Sequence, residues 1–598
     1  MAERLKIEDY ALIGDCRSAA LVGRNGAIDW LCWPRFDSPA CFSALLGDAS
    51  HGRWLIAPDE SDARASRQYR DGTTILETTF ETDQGQVTLV DFMASDDQDA
   101  PSLLRIVRGD RGRVRMSMCM TLRFDYGSAV PWVTQLESED GIDAIAGPNR
   151  VTLRTPVELE GTEDGFGPST VATFEIGEGE AVPFVLRYGA SHLPPPAAID
   201  VDGALSRTET FWRSWSERCG LDGEYQAVIR RSLVTLKALT FRETGGIAAA
   251  PTTSLPEGLG GVRNWDYRYC WLRDATLTLR AFMSAGYYDE AVAWRDWLQR
   301  SLAGNPEQVQ IMYGLAGERT LVEWEVDWLP GYEDSRPVRV GNAAAMQLQI
   351  DIYGEIMGAL HIARNGGLAH PEEGWDLQRA LLDHLEEIWQ EPDDGIWETR
   401  GERRQFTFSK MMAWVAFDRA VADAERFGLD APLDRWRALR DEIHETVCRE
   451  AFNPAVNSFV QYFGADTTDA ALLSMVPLGF LPCDDPRIVG TVQRVEQELM
   501  AEGFVLRYRP EKSSDGLPGT EGAFLAVSFM LVQVYAIQGR REDAKRLFER
   551  LLAIGNDVGL FAEEYDPRIE RQVGNFPQAF THLALVGAAM RLSGEGGL

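Results

Sequence analysis

From Asn264 to Asp274 the chain reads Asn-Trp-Asp-Tyr-Arg-Tyr-Cys-Trp-Leu-Arg-Asp, rings and fixed charges directly ahead of a helical pattern. A run this polar and aromatic is a poor core segment. Flat rings can lie against the C–H faces of a sugar, and Arg and Asp can bind its hydroxyls in pairs. The same composition also suits a loop that packs on neighbouring helices and carries a structural Arg–Asp pair. Other stretches repeat the theme: Glu323 to Trp328, Gly331 to Pro337, Asp393 to Glu398, Arg507-Tyr508, Asp515 to Pro518 and Leu560 to Pro567. Acids and aromatics recur, there is no Gly-rich phosphate loop, and the seven histidines show no metal-ligand spacing. Two carboxylates, aromatic platforms and charged partners for hydroxyls are the requirements of glycoside hydrolysis.

The elements that must position these residues fall into two regions. Residues 1–200 read as an antiparallel β-sandwich. Turn signals separate alternating runs: Asn25-Gly26 between Ala19–Val22 and Ala27–Trp33, Asp83 to Gly85 between Thr74–Phe80 and Gln86–Phe92, and Gly109 to Gly112 between Leu103–Val107 and Val114–Leu122. Further strands are expected at Arg150–Val157, Thr170–Ile176 and Ala181–Tyr188. The polar and aromatic loop Pro34 to Pro39 reads either as a reach to a neighbouring domain or, the commoner case, as a structured connection. Pro194-Pro195-Pro196 marks a boundary, and residues 201–222 read as a linker helix.

Residues 223–598 are helical. The periodicity predicts twelve segments, near 223–242, 273–285, 288–302, 342–363, 374–390, 409–427, 432–450, 467–476, 485–500, 521–538, 541–554 and 577–592. Connections from an odd to the next even segment are long; most of those from even to odd are short. In a ring of helix hairpins all the long connections lie at one end. That asymmetry predicts an (α/α)6 barrel with one functional face, carrying every stretch named above.

The 598-residue chain has a formal net charge of −33, which argues against nucleic acid and anionic membrane surfaces as partners. It contains no apolar run of 18 residues and no apolar signal core near Met1, so a cytoplasmic protein is expected. Its eight cysteines are scattered, with no Cys-x-x-Cys pair, and are read as reduced thiols.

Gly-Ile-Trp-Glu398, the Trp271-Leu-Arg273-Asp274 tail and Phe561-Ala-Glu563-Glu564-Tyr together resemble glycoside hydrolase family 15, in its bacterial and archaeal trehalase-like and glucoamylase-like branch. The likeness extends to the N-terminal Gly26-Ala-Ile-Asp-Trp-Leu-Cys-Trp-Pro34 segment. It implies a trehalase-like N-terminal sandwich, a linker helix and an (α/α)6 catalytic barrel. It also implies that Glu398 is a general acid and Glu563 a general base, with neighbouring Glu564 the alternative. Trp397 would help keep Glu398 protonated by excluding water. Such a pair acts with inversion and stands roughly 6.5–9.5 Å apart. Arg273 and Asp274 match the pair that grips the far hydroxyls of the terminal sugar, Tyr267 and Trp271 the rings beside it, Arg336 a substrate-loop arginine, and Arg507 one near the 2-hydroxyl. Tyr332-Glu333-Asp334 lacks the tryptophan of fungal glucoamylases, so the aglycone side differs.

The function so implied is exo-acting hydrolysis of an α-glucoside, with trehalose first. Malto- or isomalto-oligosaccharides are the alternative, as for a glucoamylase or glucodextranase. A sugar phosphorylase would need no base, and an inactive sugar-binding protein would need neither acid. No cofactor and no metal are expected, and the partner is a small carbohydrate. Nothing in the sequence fixes the number of subunits, and a homo-oligomer stays open.

Overall fold

The computed structural model describes residues 4–594 apart from 61, 96–99, 138–139, 165–166, 369 and 513–514. Among the described residues, fifteen antiparallel strands form the N-terminal region. The hairpins at Asn25-Gly26 and at Asp83–Gly85 are both present, pairing Ala19–Gly23 with Ala27–Cys32 and Leu76–Thr82 with Gly85–Met93.

The turn expected at Gly109–Gly112 is absent. Ser102–Thr121 is one continuous strand of 20 residues that links two sheets. Its first half pairs with Gly85–Met93 and Ala181–Ala190, its second with Arg53–Pro58 and Gly167–Gly177. The register shifts between Gln86 and Val87, opposite Gly109 to Arg111. The glycines therefore mark a bulge where the strand crosses between sheets, a signal that resembles a turn in sequence.

Helix α1 (Val201–Ser216) leads into the helical region. There follow α2 (Gln226–Ala238), α3 (Ala275–Ser284), α4 (Tyr288–Leu302), α5 (Asp351–Asn365), α6 (Trp375–Ile388), α7 (Thr407–Phe427) and α8 (Leu433–Glu450). The last five are α9 (Met475–Leu478), α10 (Pro486–Glu498), α11 (Leu525–Ile537), α12 (Arg541–Leu552) and α13 (Ala579–Ser593). The odd helices α3 to α13 contact one another in a closed inner ring, and α2, α4, α6, α8, α10 and α12 pack outside it. Burial shows why. Helix α11 is apolar nearly all round and buried from Leu525 to Val527 and from Leu531 to Tyr535, whereas α12 buries only Ala544, Leu547, Phe548 and Leu551. Every long connection enters an inner helix, so all six lie at one end. Two helices begin well after their expected starts. Asn342 caps a separate 3-10 turn at Ala343–Met346, delaying α5 to Asp351, and α9 is a single turn after the 3-10 segment Ala470–Ser474.

The sheets are fastened to the barrel by polar contacts. Trp30 Nε1 donates to the Pro251 carbonyl (2.8 Å), and Arg35, in the Pro34–Pro39 loop, reaches Glu318 (2.9 Å). Arg268 is fully buried. It pairs with Asp266 (2.7 and 2.9 Å) and donates to the Ser38 carbonyl and the Tyr126 hydroxyl (both 2.9 Å). Removing one partner of a buried pair strands the other charge. Arg268→Ala is therefore expected to lower unfolding stability by about 3–5 kcal/mol, read as a fall in the urea midpoint.

Candidate active site

The stretch Asn264–Asp274 turns out to hold both the packing pair and site residues, sorted by alternation. Asp266 and Arg268 point toward the sheets, while Tyr267 lines a cavity of about 500 Å³ at the long-loop end of the barrel. Arg273, Trp397, Glu398 and Arg507 line the same cavity. Trp271 and Asp274 stand behind its wall: Trp271 Nε1 donates to Glu398 Oε1 (2.7 Å), and Asp274 accepts from Arg273 Nε (3.3 Å). Arg273 Nη1 also reaches Glu398 Oε1 (3.3 Å).

Glu398 ends a tight turn, with its own N–H on the Gly395 carbonyl (3.1 Å) and φ at +56°, an unusual conformation for a glutamate. Asp393 and Asp394 hold this turn by accepting backbone N–H groups of Ile350 (2.9 Å) and Leu348 (2.8 Å). Both donors to Glu398 fall on Oε1; Oε2 accepts no hydrogen bond from the described residues. Trp397 is fixed by Nε1 donating to Asp469 (2.9 Å).

Glu563 is buried. Its Oε1 has no hydrogen-bond partner among the described residues, and its Oε2 accepts the Asn575 N–H at 3.4 Å. Burial, and then the negative charge of Glu257, push its carboxyl up to about 8; Arg507 and the nearby Tyr267 hydroxyl oppose the rise. Gly574 leaves the space Glu563 uses. A Cβ there would lie 2.7 Å from Glu563 Cβ and Oε2, and Gly574 holds a φ of +80°. Tyr267 lies in the field of Glu563, Glu257 and Glu398 together, and after burial these charges raise its hydroxyl well above the ordinary tyrosine value.

Glu564 faces the other way, as its place in the strand Glu564–Asp566 requires. Its Oε2 accepts the Gly522 N–H (2.8 Å), and its Oε1 lies 3.5 Å from Arg507. The carboxylates of Glu257, Glu521 and Glu564 converge within 4.8 Å of one another, a spacing that could hold a metal. Arg507 Nη2 sits among them, at 2.9, 2.7 and 3.5 Å, and supplies the cation. Arg263 braces the same cluster through Asp515 (2.6 Å) and Glu521 (3.4 Å).

Arg336 is not brought to the cavity. Ser335 is turned inward, accepting the Gly260 N–H (2.8 Å), and the next side chain is thereby exposed. Arg339 takes the inner position instead, 4.5 Å from the Trp265 ring centroid, with Arg400 4.9 Å from the same ring. Trp265, within the opening stretch, lines the cavity, as do Glu257, Arg263, Asn342, Arg400 and Phe524, which sequence reasoning missed. The signal for Arg263 was adjacency to Asn264.

If Glu563 must be ionised to act, kcat/KM rises with pH through its pKa. Glu257→Gln removes the charge that raises that pKa. The acid limb of the pH profile is expected to move to lower pH by roughly one pH unit; an unmoved limb would show that Glu257 does not act on Glu563.

The model of glycosyl hydrolases family 15 matches residues 223–590, and that of the trehalase-like N-terminal domain matches residues 2–212. The chain is similar to a trehalase of Mycobacterium tuberculosis, 38% identical over 618 residues, covering 98% of this chain and 89% of that one. A trehalase of Thermoplasma acidophilum is 35% identical over 578 residues, covering 96% and 98%. The fold matches a bacterial glucoamylase crystallised with acarbose at a TM-score of 0.76 and 14% identity, covering 99% of this chain and 94% of that one.

Proposed function

Because the chain belongs to glycosyl hydrolases family 15, and so is a glycoside hydrolase, we propose that it cleaves α,α-trehalose to two glucose molecules with inversion at the attacked carbon. Glu398 protonates the glycosidic oxygen and Glu563 removes a proton from the attacking water. The observation that carries this reading is the contrast between two carboxyls on either side of Tyr267. Glu398 keeps Oε2 free of protein donors, available to carry a proton, while Oε1 is held by Trp271 and Arg273. Glu563 keeps Oε1 unpartnered in a buried setting, available to accept one from water. Between Glu563 and Glu564, the ties of Glu564 to Gly522 and Arg507 favour Glu563 as the base.

Arg273, backed by Asp274, holds the hydroxyls of the terminal glucose, Tyr267 and Trp397 enclose its ring, and Trp271 stands behind them holding Glu398. Arg507 shapes the wall: its Nη2 is committed to carboxylates, and its guanidinium lies 5.7 Å from the Trp397 ring centroid and 5.3 Å from that of Phe524. Nη1 donates to none of the described residues and remains for a sugar hydroxyl. The exposed Arg336 is left without a substrate role. The choice of trehalose rests on the named activity of the relatives.

The eight cysteines are all free thiols, which fits a reducing compartment, and we place the enzyme in the cytoplasm. Among the described residues no helix is long and apolar enough to cross a membrane. The experiment is a panel of trehalose, maltose, isomaltose and maltoheptaose at equal concentration, followed by glucose release. Trehalose is expected to be turned over fastest; turnover of maltoheptaose without trehalose would replace this reading with the glucoamylase one.

A further inference from the structure

Beneath the substrate cavity the barrel axis is not filled. A second cavity lies there, lined from all six inner helices: Arg280 of α3, Glu355 of α5, Phe408 of α7, Pro477 of α9, Gln533 of α11 and Phe580 of α13. Arg273 and Ile396 line both cavities and form the partition between them. Arg280 follows Arg273 along the chain by a distance of roughly 10 Å at helical rise, toward the end of the barrel with the short connections.

The polar equipment of this space is unbalanced. Arg280 Nε is buried and has no hydrogen-bond partner among the described residues. Burial, and then the charges of Arg591 and Arg419, hold the Arg280 pKa below the ordinary guanidinium value, with Glu355 the opposing charge. Glu355 offers little compensation at neutral pH, because burial pushes its carboxyl up to about 8 and keeps it mostly protonated. A buried donor left unmade is costly, and a guanidinium donor is met best by an anion. Most of the remaining wall is apolar, with Leu277, Phe408, Leu478, Met530 and Phe580 among its side chains. An inorganic ion would satisfy Arg280 and leave the apolar wall uncovered. A molecule with an apolar body uses both features.

We propose that this axial cavity is a binding site for a small organic monoanion, with its carboxylate on Arg280 and its apolar body against Phe408, Met530 and Phe580. The site is separate from the substrate cavity and does not depend on which sugar the enzyme cleaves. The test is calorimetric titration of the full chain with sodium hexanoate at neutral pH, alongside hexan-1-ol and sodium acetate. Saturable one-to-one hexanoate binding is expected, at least tenfold tighter than for either control. Arg280→Gln should weaken it roughly 10–100-fold, and Arg280→Lys, which keeps the charge, should weaken it less. Met530→Trp leaves Arg280 in place and fills the cavity; it should abolish binding, which keeps the proposal testable if Arg280→Gln fails to fold. The proposal is overturned if hexanoate shows no saturable binding, if hexan-1-ol or acetate binds as well as hexanoate, or if Met530→Trp binds like the parent enzyme.

Discussion

Glu563→Gln is expected to lower kcat on trehalose roughly 10²–10⁴-fold with the fold intact. Glutamine keeps the shape of the side chain, and the Asn575 N–H can still meet its amide oxygen. What is lost is a group able to take a proton from water. The site should then accept a nucleophile that needs no base. Sodium azide, small and already anionic, is expected to restore turnover and to yield β-glucosyl azide, the product of attack on the face opposite the leaving group. Glu564→Gln tests the alternative. Glu564 is buried and lies against Arg507, so its loss is expected to disturb the cavity wall without creating azide dependence. Azide rescue in Glu564→Gln and none in Glu563→Gln would exchange the two roles.

Glu398→Gln is expected to cost roughly 10²–10⁴-fold on trehalose and much less on α-glucosyl fluoride. Fluoride departs without a proton from the enzyme, so a substrate that carries its own good leaving group bypasses the missing acid. The contacts of Glu398 Oε1 with Trp271 and Arg273 can survive in glutamine if its amide oxygen takes that position. Equal losses on both substrates would mean that Glu398 acts on binding or on cavity shape, not on the leaving group.

The fold was legible where one physical rule dominated. Inner helices such as α11 and outer ones such as α12 differ in apolar coverage, and the alternation of long and short connections follows from ring geometry alone. Gly109 to Gly112 misled because a bulge and a hairpin call for the same residues, and only the partner strands distinguish them. The start of α5 was misplaced because Asn342 caps a short turn of its own. At the site, the proposed roles of Glu398 and Glu563 came from the family resemblance. Glu257 was not, because its importance arises from contact with Arg507, 250 positions away in the chain. Arg336 and Arg339 show the limit most plainly. Both are arginines of one loop, and the inward turn of Ser335 decides which of them approaches the substrate side.

The central claim is direct attack by water, activated by one carboxylate while another protonates the leaving sugar. Proton NMR during the first minutes of trehalose hydrolysis, before the released sugars equilibrate, tests it most directly. Inversion at one anomeric carbon and retention of configuration in the departing glucose predict equal amounts of β- and α-glucose. Release of α-glucose alone would contradict the account, since it requires two displacements at the same carbon.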